Sequence, residues 1–595
     1  MTKILESFDV MKYSRDNYGS LVVVFALVAS LFVAEKSLAA DRAGDFSLLD
    51  QHGAYHQLSY YNDHKAVVLM TQANDCPIVE QRLPQFSALQ ARYDGQEIEF
   101  MLLNPQGADR ELVRKEMNRL GVDLPVLMDD TQLVGELLSI SHAGEAIVLD
   151  PERLTILFRG PVGDELNQAL MQVAADQDVT TESVSSSGCA ISYAAKDAHF
   201  DQGISYVADV APIIEENCAD CHRQNSIAPF ALDSHQVLQG WSPMVKEVVL
   251  TKRMPPGQID PHVGNILDMS NLTDDEARTL IHWIDMGAPR DGEIDPLANL
   301  QWPESKWLAD GGSEPDIIVQ IPPQTIPATG VVDYINVYAE IPIEDDVWIR
   351  GSEIVPGDYS VLHHVITRVV QPEIANDSVR PDEGDDEFEG LENTDIPMAG
   401  LTGYVPGRRP QLEPGSGGLL RAGSRVAFQL HYTTSGREVT DSSELGIYLY
   451  PEGEIPQIEK SSGGRALNRR FLIPAGAKDH EVFESDIVEK DAYLVSFMPH
   501  MHYRGKRMKF VAKYPDGTQE ELLSVPNYQF NWQVRHHLEP KFVPAGTEIV
   551  AIGAFDNSTQ NSFNPDPGEA IDWGPQSWDE MFIGYMRWKH VEDLR

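Results

Sequence analysis

Cysteine is scarce, with four residues in 595 and none after Cys221, which excludes a disulfide-stapled scaffold. Basic residues are scarce too. Lysine and arginine total 46 against 92 aspartates and glutamates, a formal net charge of -46. Such a surface repels phosphate backbones and anionic headgroups, which excludes nucleic acid as a partner. Apolar runs are short, and none reaches the ~20 residues that span a bilayer. The one candidate, Leu21 to Val33, follows Lys3, Lys12 and Arg15 and ends in AEKSLAA before Asp41. These flanks read as a cleaved export signal over residues 1–40 rather than a permanent anchor. The mature protein is therefore expected in the periplasm or outside the cell, without a stable membrane span. The chain is 42% apolar and 23% charged, ordinary globular material with room for three or four domains of ~150 residues.

Composition divides the mature chain. Residues 41–180 alternate short apolar strands, such as AVVLM and IEFMLLN, with helical patterns such as PQFSALQARY. That alternation predicts an α/β unit around a central sheet. The Ser/Thr-rich stretch TTESVSSSG opens a linker over 181–199. Residues 200–292 read as mostly helical, and 293–316 as a second linker carrying Trp302, Pro303 and Trp307. Beyond it, Val, Ile, Tyr, Pro and Gly recur in short alternating runs, which predicts two β-sandwiches, 317–465 and 466–595. The acidic run at 381–395 reads as a solvated loop.

The helical part contains Cys218-Ala-Asp-Cys221-His222. In such a motif two thioethers hold a porphyrin and the histidine ligates its iron. A zinc site would need further ligands, and no cysteine follows. A helix-like stretch precedes the motif, and downstream Thr273 and Glu276 form a capping box for a closing helix stopped by Gly287 and Pro289. The arrangement resembles a small c-type cytochrome, which implies one covalently attached heme c. Met254, before the closing helix, stands where this family places its axial methionine. Met244, Met269, Met286 and His262 are the alternatives. A His/Met pair suits electron transfer.

Four segments stand out in the last 280 residues. His363 and His364 end a probable strand. In Val426 to Tyr432, Gln429 and His431 share one face of a strand. His500 and His502 lie at i and i+2, which predicts one strand face where two imidazoles converge on a metal. Asp579-Glu-Met581 precedes Tyr585 by a few residues. Taken singly, each has an ordinary structural reading. In this order they resemble the copper type II, ascorbate-dependent monooxygenases, the family of peptidylglycine α-hydroxylating and dopamine β-monooxygenases, over about residues 320–590.

The resemblance implies two copper ions on two jelly-roll-like sandwiches. His363, His364 and His431 would hold an electron-transfer copper. His500, His502 and Met581 would hold the copper that meets oxygen, with Tyr585 nearby. Ligand softness agrees, since a thioether favours Cu(I). The expected partners are a small-molecule substrate, O2 and an external electron donor, either ascorbate-like or a redox protein. Two departures stand out: this region has no cysteine, and Met498 occupies the place of the arginine with which the peptide-amidating members grip a substrate carboxylate. His536-His537 matches no ligand position and reads as structural or surface.

In the N-terminal unit, Asp75-Cys76-Pro77-Ile78 resembles the active-site turn of redoxin or thioredoxin-like proteins, where a helix N-terminus lowers a thiol pKa. The second cysteine of CxxC is replaced by Val79, and the peroxiredoxin T-x-x-C pattern is absent. A Cys76–Cys189 disulfide is expected to be feasible, either structural or a redox pair. The sequence thus predicts an exported copper monooxygenase with a fused heme donor. A non-enzymatic copper or electron carrier, and a thiol peroxidase or disulfide reductase centred on Cys76, are the alternatives.

Overall fold

Continuous apolar runs build the first sheet. In the computed structural model, Ala66–Thr71, Ile98–Asn104 and Val126–Met128 lie parallel at its centre, flanked by antiparallel Glu145–Asp150 and Thr155–Pro161 on one side and Ser47–Asp50 and Tyr55–Gln57 on the other. Alternate residues of Ala66–Thr71 enter different cores: Val68 and Met70 pack under helices Pro77–Tyr93, Arg110–Leu120 and Asp164–Ala174, while Val67 and Leu69 face Leu58, Val134 and Leu138. A sheet covered on both faces needs strands without a polar side, which is why these read as unbroken hydrophobic runs.

The structure describes residues 42–594, apart from 225, 303–305, 371, 373–400, 407–411, 413–414 and 458–461. The export signal expected over 1–40, the acidic run 381–395 and Pro303 lie outside the described residues. Ala43–Arg595 forms one compact unit. Among the described residues, no helix is long and apolar enough to cross a membrane.

Residues 181–199 are tied down along their length. Ser183 bridges Arg159, Arg82 donates to Ser186 and Ser187, and Cys189–Ala190 pairs with His142–Ala143. Polar composition hides these anchors, because they are backbone contacts, one distant guanidinium and a sulfur bond. The helical part follows, with Tyr206–Val210 running into Ala211–Asn217, then His235–Leu250 and Asp274–Asp285. The Thr273–Glu276 capping box forms. Tyr206, Ile214, Leu238, Leu280 and Trp283 fill this core.

Two pairs of antiparallel sheets make the β-rich remainder. In the first pair, Ile349, Leu445 and Ile447 of one sheet share a core with Val365, Phe428 and Leu430 of the other. In the second, Leu494, Phe497 and Trp588 meet Met508, Phe510 and Ala551. Ile259 and Ile266, from the helical part, enter that second core, and Ile266 bridges Leu538 through its backbone. Trp307 is fully buried and seats against Gly446. A cleft lined by Tyr55, Lys252, Gln258, Pro499 and Trp532 lies where the N-terminal, helical and second β parts meet.

Candidate metal centres and thiol site

Strand Leu362–Val370 pairs with Arg425–Tyr432, placing His364 opposite His431. Consecutive strand residues normally point to opposite faces, yet His363 and His364 both reach the same point. A bulge between Leu362 and His364 explains it, because the extra residue re-aims a side chain. His364 Nδ1 lies 3.0 Å from the Nδ1 atoms of both His363 and His431. Among the described residues, these three are the group of His, Cys, Asp or Glu placed to share a metal ion, their ligand atoms lying within 4.8 Å of one another.

For His363 the outer nitrogen settles which atom the ring offers. His363 Nε2 lies 3.0 Å from the Asn531 amide oxygen. That oxygen only accepts, so Nε2 carries the proton and Nδ1 keeps its lone pair. His431 Nε2 meets Ser577 Oγ at 3.2 Å. Burial pushes the pKa of all three imidazoles down, that of His431 to about 3. Three buried imidazoles with converging Nδ1 atoms and no carboxylate among them would suit a copper ion that changes oxidation state.

The second set sits at the end of Ala492–His500. His500 is the last strand residue and His502 lies beyond it, so the two do not share a strand face as their spacing predicts. Glu580 makes the turn instead. Its buried carboxylate accepts from the backbone N–H groups of His502 and Arg504, at 2.9 and 2.6 Å. Burial raises its pKa to about 8. The His500 and His502 rings stand nearly perpendicular, 5.4 Å apart. His500 Nδ1 donates to Gln533 Oε1 at 2.8 Å and His502 Nδ1 to the Asp579 carbonyl at 3.3 Å. Here the lone pairs are left on Nε2, the reverse of His363. The ladder between this strand and Phe582–His590 closes with His500 opposite Ile583. His502 and Met581 each lie two residues past that final pair, at the same end of the sheet. The Tyr585 ring is 6.2 Å from His500. Two imidazole nitrogens, with Met581 at the same end of the sheet, would suit Cu(I) if the thioether joined them.

Sequence reasoning missed the residues that hold these rings: Asn531, Gln533, Ser577, Glu580 and Phe530. Phe530 stacks on His363 with centroids 5.2 Å apart and meets His502 edge-on at 5.8 Å. The available signal was Asn531-Trp-Gln533, two amides two residues apart in a region otherwise devoted to β-strands. A guanidinium does stand near Met498: Arg535 Nη2 lies 3.8 Å from its sulfur and Nη1 3.2 Å from Ser496 Oγ. His536 is buried and His537 pairs with Asp268 at 2.6 Å.

In the helical part, Cys218 and Cys221 are free thiols, and burial pushes Cys218 up to about 12. His222 Nδ1 lies 3.1 Å from the Phe230 carbonyl, so Nδ1 donates and Nε2 is left as the ligand atom. Cys218 and Cys221 would hold a heme through two thioethers, and His222 Nε2 would be the atom offered to its iron. Met254 is half-buried. Met244 and Met269 are exposed, and His262 is drawn to Asp130.

Cys76 caps helix Pro77–Tyr93 at its N-terminus and is bonded to Cys189 across 113 residues. Residues 39–158 match the model of the AhpC/TSA family. This N-terminal part is a thioredoxin-like domain of AhpC/TSA type. The chain is also similar to a hypothetical protein of Sinorhizobium meliloti (26% identity, 26% of this chain and 92% of that one, TM-score 0.24). It is similar to a peroxidoxin of Mycobacterium tuberculosis (18%, 23% and 93%, TM-score 0.20). A third similar structure is a thiol:disulfide interchange protein of the thioredoxin family from Chlorobium tepidum (17%, 23% and 97%, TM-score 0.20). No curated protein matches the chain.

In the AhpC/TSA domain the Cys76–Cys189 disulfide read as feasible from the sequence is formed, and Cys76 is 3% exposed. Nucleophilic chemistry there requires prior reduction. The bond also clamps the segment after the domain. Cys189→Ser is expected to lower unfolding free energy by about 2–4 kcal/mol, the usual worth of a long-loop disulfide, as measured by denaturant unfolding without reductant. Unchanged stability would show that the pairing of residues 189–190 holds without it.

Proposed function

We propose that the protein is an exported copper monooxygenase that hydroxylates a C–H bond of a small substrate, with a heme c in the same chain as electron donor. The observation that carries this reading is that the two histidine sets are built differently. One brings three Nδ1 atoms together, His364 Nδ1 lying 3.0 Å from each of the other two; the other turns both Nδ1 atoms outward to Gln533 and Asp579 and leaves Nε2 free on each ring, at the sheet end where Met581 also lies. A metal-storage protein has no need of two differently built sites, one all-imidazole and one suited to a thioether.

The overall reaction is RH + O2 + 2 electrons + 2 protons giving ROH + H2O, the electrons coming from an external reductant. Bound copper would supply redox cycling and oxygen activation, and bound heme one-electron transfer. The chain's own residues do the rest. Asn531 and Ser577 fix the first set's rings, and Gln533 and Glu580 fix the second. Phe530 packs against a ring of each set, His363 and His502. Tyr585 lines the second set, where substrate must approach.

A second reading is favoured by the AhpC/TSA match and the Cys76–Cys189 bond: the N-terminal domain carries thiol–disulfide chemistry, alone or in support of the rest. Cycling of that bond by a dithiol reductant, coupled to peroxide or disulfide turnover, would support it.

The purified protein is expected to hold two coppers and one iron per chain, the iron staying attached on a denaturing gel. Met581→Ala should cut oxygen-dependent turnover severely while the three-histidine set stays loaded. Zinc in place of copper, or near-normal turnover of this variant, would overturn the main reading.

A further inference from the structure

We infer that two short stretches, Phe530–Gln533 and Ser577–Glu580, couple the two histidine sets, so that a metal bound at one pre-orders the other. This rests on the copper reading above and deepens it. Each stretch touches both sets. In the first, Asn531 holds His363 at 3.0 Å and Gln533, two residues on, holds His500 at 2.8 Å. Phe530 packs on His363 at 5.2 Å and on His502 at 5.8 Å, and these two distances cap the separation of the two imidazoles at 11 Å. In the second, Ser577 Oγ lies 3.2 Å from His431 Nε2, while the Asp579 carbonyl accepts from His502 Nδ1 at 3.3 Å. Glu580 then anchors the His502 backbone.

These contacts bridge the two β units: His363 and His431 belong to the first, and every holding residue belongs to the second. A metal that fixes the ring angle of His363 fixes Asn531. Two peptide units later, Gln533 cannot then move freely against His500. The ordering that the second metal requires has already been incurred, which is positive coupling between sites without any change of fold. Because linkage is reciprocal, emptying either set must weaken the other, typically by 5- to 150-fold.

The test measures copper(I) affinity at the His500–His502–Met581 set by competition with a chromophoric chelator, without turnover. His431→Ala, which dismantles the first set, is expected to lower that affinity at least about fivefold in the wild-type background. In a background carrying Asn531→Ala and Ser577→Ala, the same change should move it less than about twofold. Asn531→Asp with native Ser577 keeps both acceptors and should restore the full effect, which separates coupling from misfolding. An affinity unmoved by His431→Ala, or a fivefold loss that persists in the Asn531/Ser577 background, overturns the coupling. Copper bound at neither set in the wild type overturns the monooxygenase reading and this inference together.

Discussion

His364→Ala is expected to reduce copper from two ions per chain to one. His364 is the middle ring of its set, with its Nδ1 3.0 Å from each neighbour, and it is 5% exposed. Removing it leaves His363 and His431 without the donor between them, and opens a cavity that water, a weaker ligand, would fill. Loss of an outer-shell partner of a metal ligand costs roughly 10- to 100-fold in affinity or activity; loss of the ligand itself should exceed that. Elemental analysis after dialysis against a weak chelator reads the stoichiometry, and oxygen uptake reads the turnover. Retention of two coppers with turnover within a few-fold of wild type would show that these rings are a structural cluster.

The metal-free protein is expected to lose stability steeply as pH falls below about 6.5. Six buried imidazoles have lowered pKa values: His363, His364, His431, His500, His502 and His536, desolvation being the largest cause in each. An unfolded histidine takes up its proton near pH 6.5. The folded protein refuses that proton until about pH 4 at His536 and about pH 3 at His431. Below pH 6.5 the unfolded chain therefore binds more protons, and stability falls with pH. By pH 4 each of these two residues contributes on the order of 3 kcal/mol of destabilisation, against a total domain stability of about 5–15 kcal/mol. Buried carboxyls work the other way. Glu580, raised to about 8, and Asp129, raised to about 7, gain a proton in the folded state first. Burial raises Glu99, Glu145 and Glu353 in the same direction, and the six imidazoles outnumber these five carboxyls. Melting of copper-stripped protein between pH 7.5 and 5 should show a fall of about 10 °C or more, and copper loading should flatten it. A melting temperature that rose or held constant would mean that protons reach these rings in the folded state.

Local features of this fold were legible in the sequence, and contacts across long separations were not. The capping box of Asp274–Asp285 and the unbroken strands of the N-terminal sheet depend on neighbours a few residues apart, so pattern alone suffices. The His363-His364 pair was visible as chemistry but misleading as geometry: period-two alternation puts the rings on opposite faces, and only the bulge after Leu362 brings them together. His500 and His502 fail the one-face rule for a different reason, since the strand ends between them and a glutamate 78 residues away shapes the turn. Asn531 and Ser577 lie 168 and 146 residues from the rings they orient. No periodicity connects such positions. Arg535 was invisible for the same reason, since it reaches Met498 from the loop before His536–Val543, 37 residues on.

Gly264 carries a consequence for how this gene can be cut or recombined. Its φ is +70°, and a Cβ there would stand 2.1 Å from the Leu522 carbonyl oxygen, so only glycine lets the 257–271 loop lie against the second β pair. Ile259 and Ile266 on the same loop are 2% and 9% exposed because that pair covers them. A fragment beginning at residue 317 would therefore present an open apolar trough where the loop belongs, and a fragment ending at 292 would carry two bare isoleucines. Sequence boundaries suggest beads on a string, but the helical part and the last sandwich are mortise and tenon. Exchange of either with a foreign module would have to carry the joint with it, and expression of either alone should favour aggregation over folding.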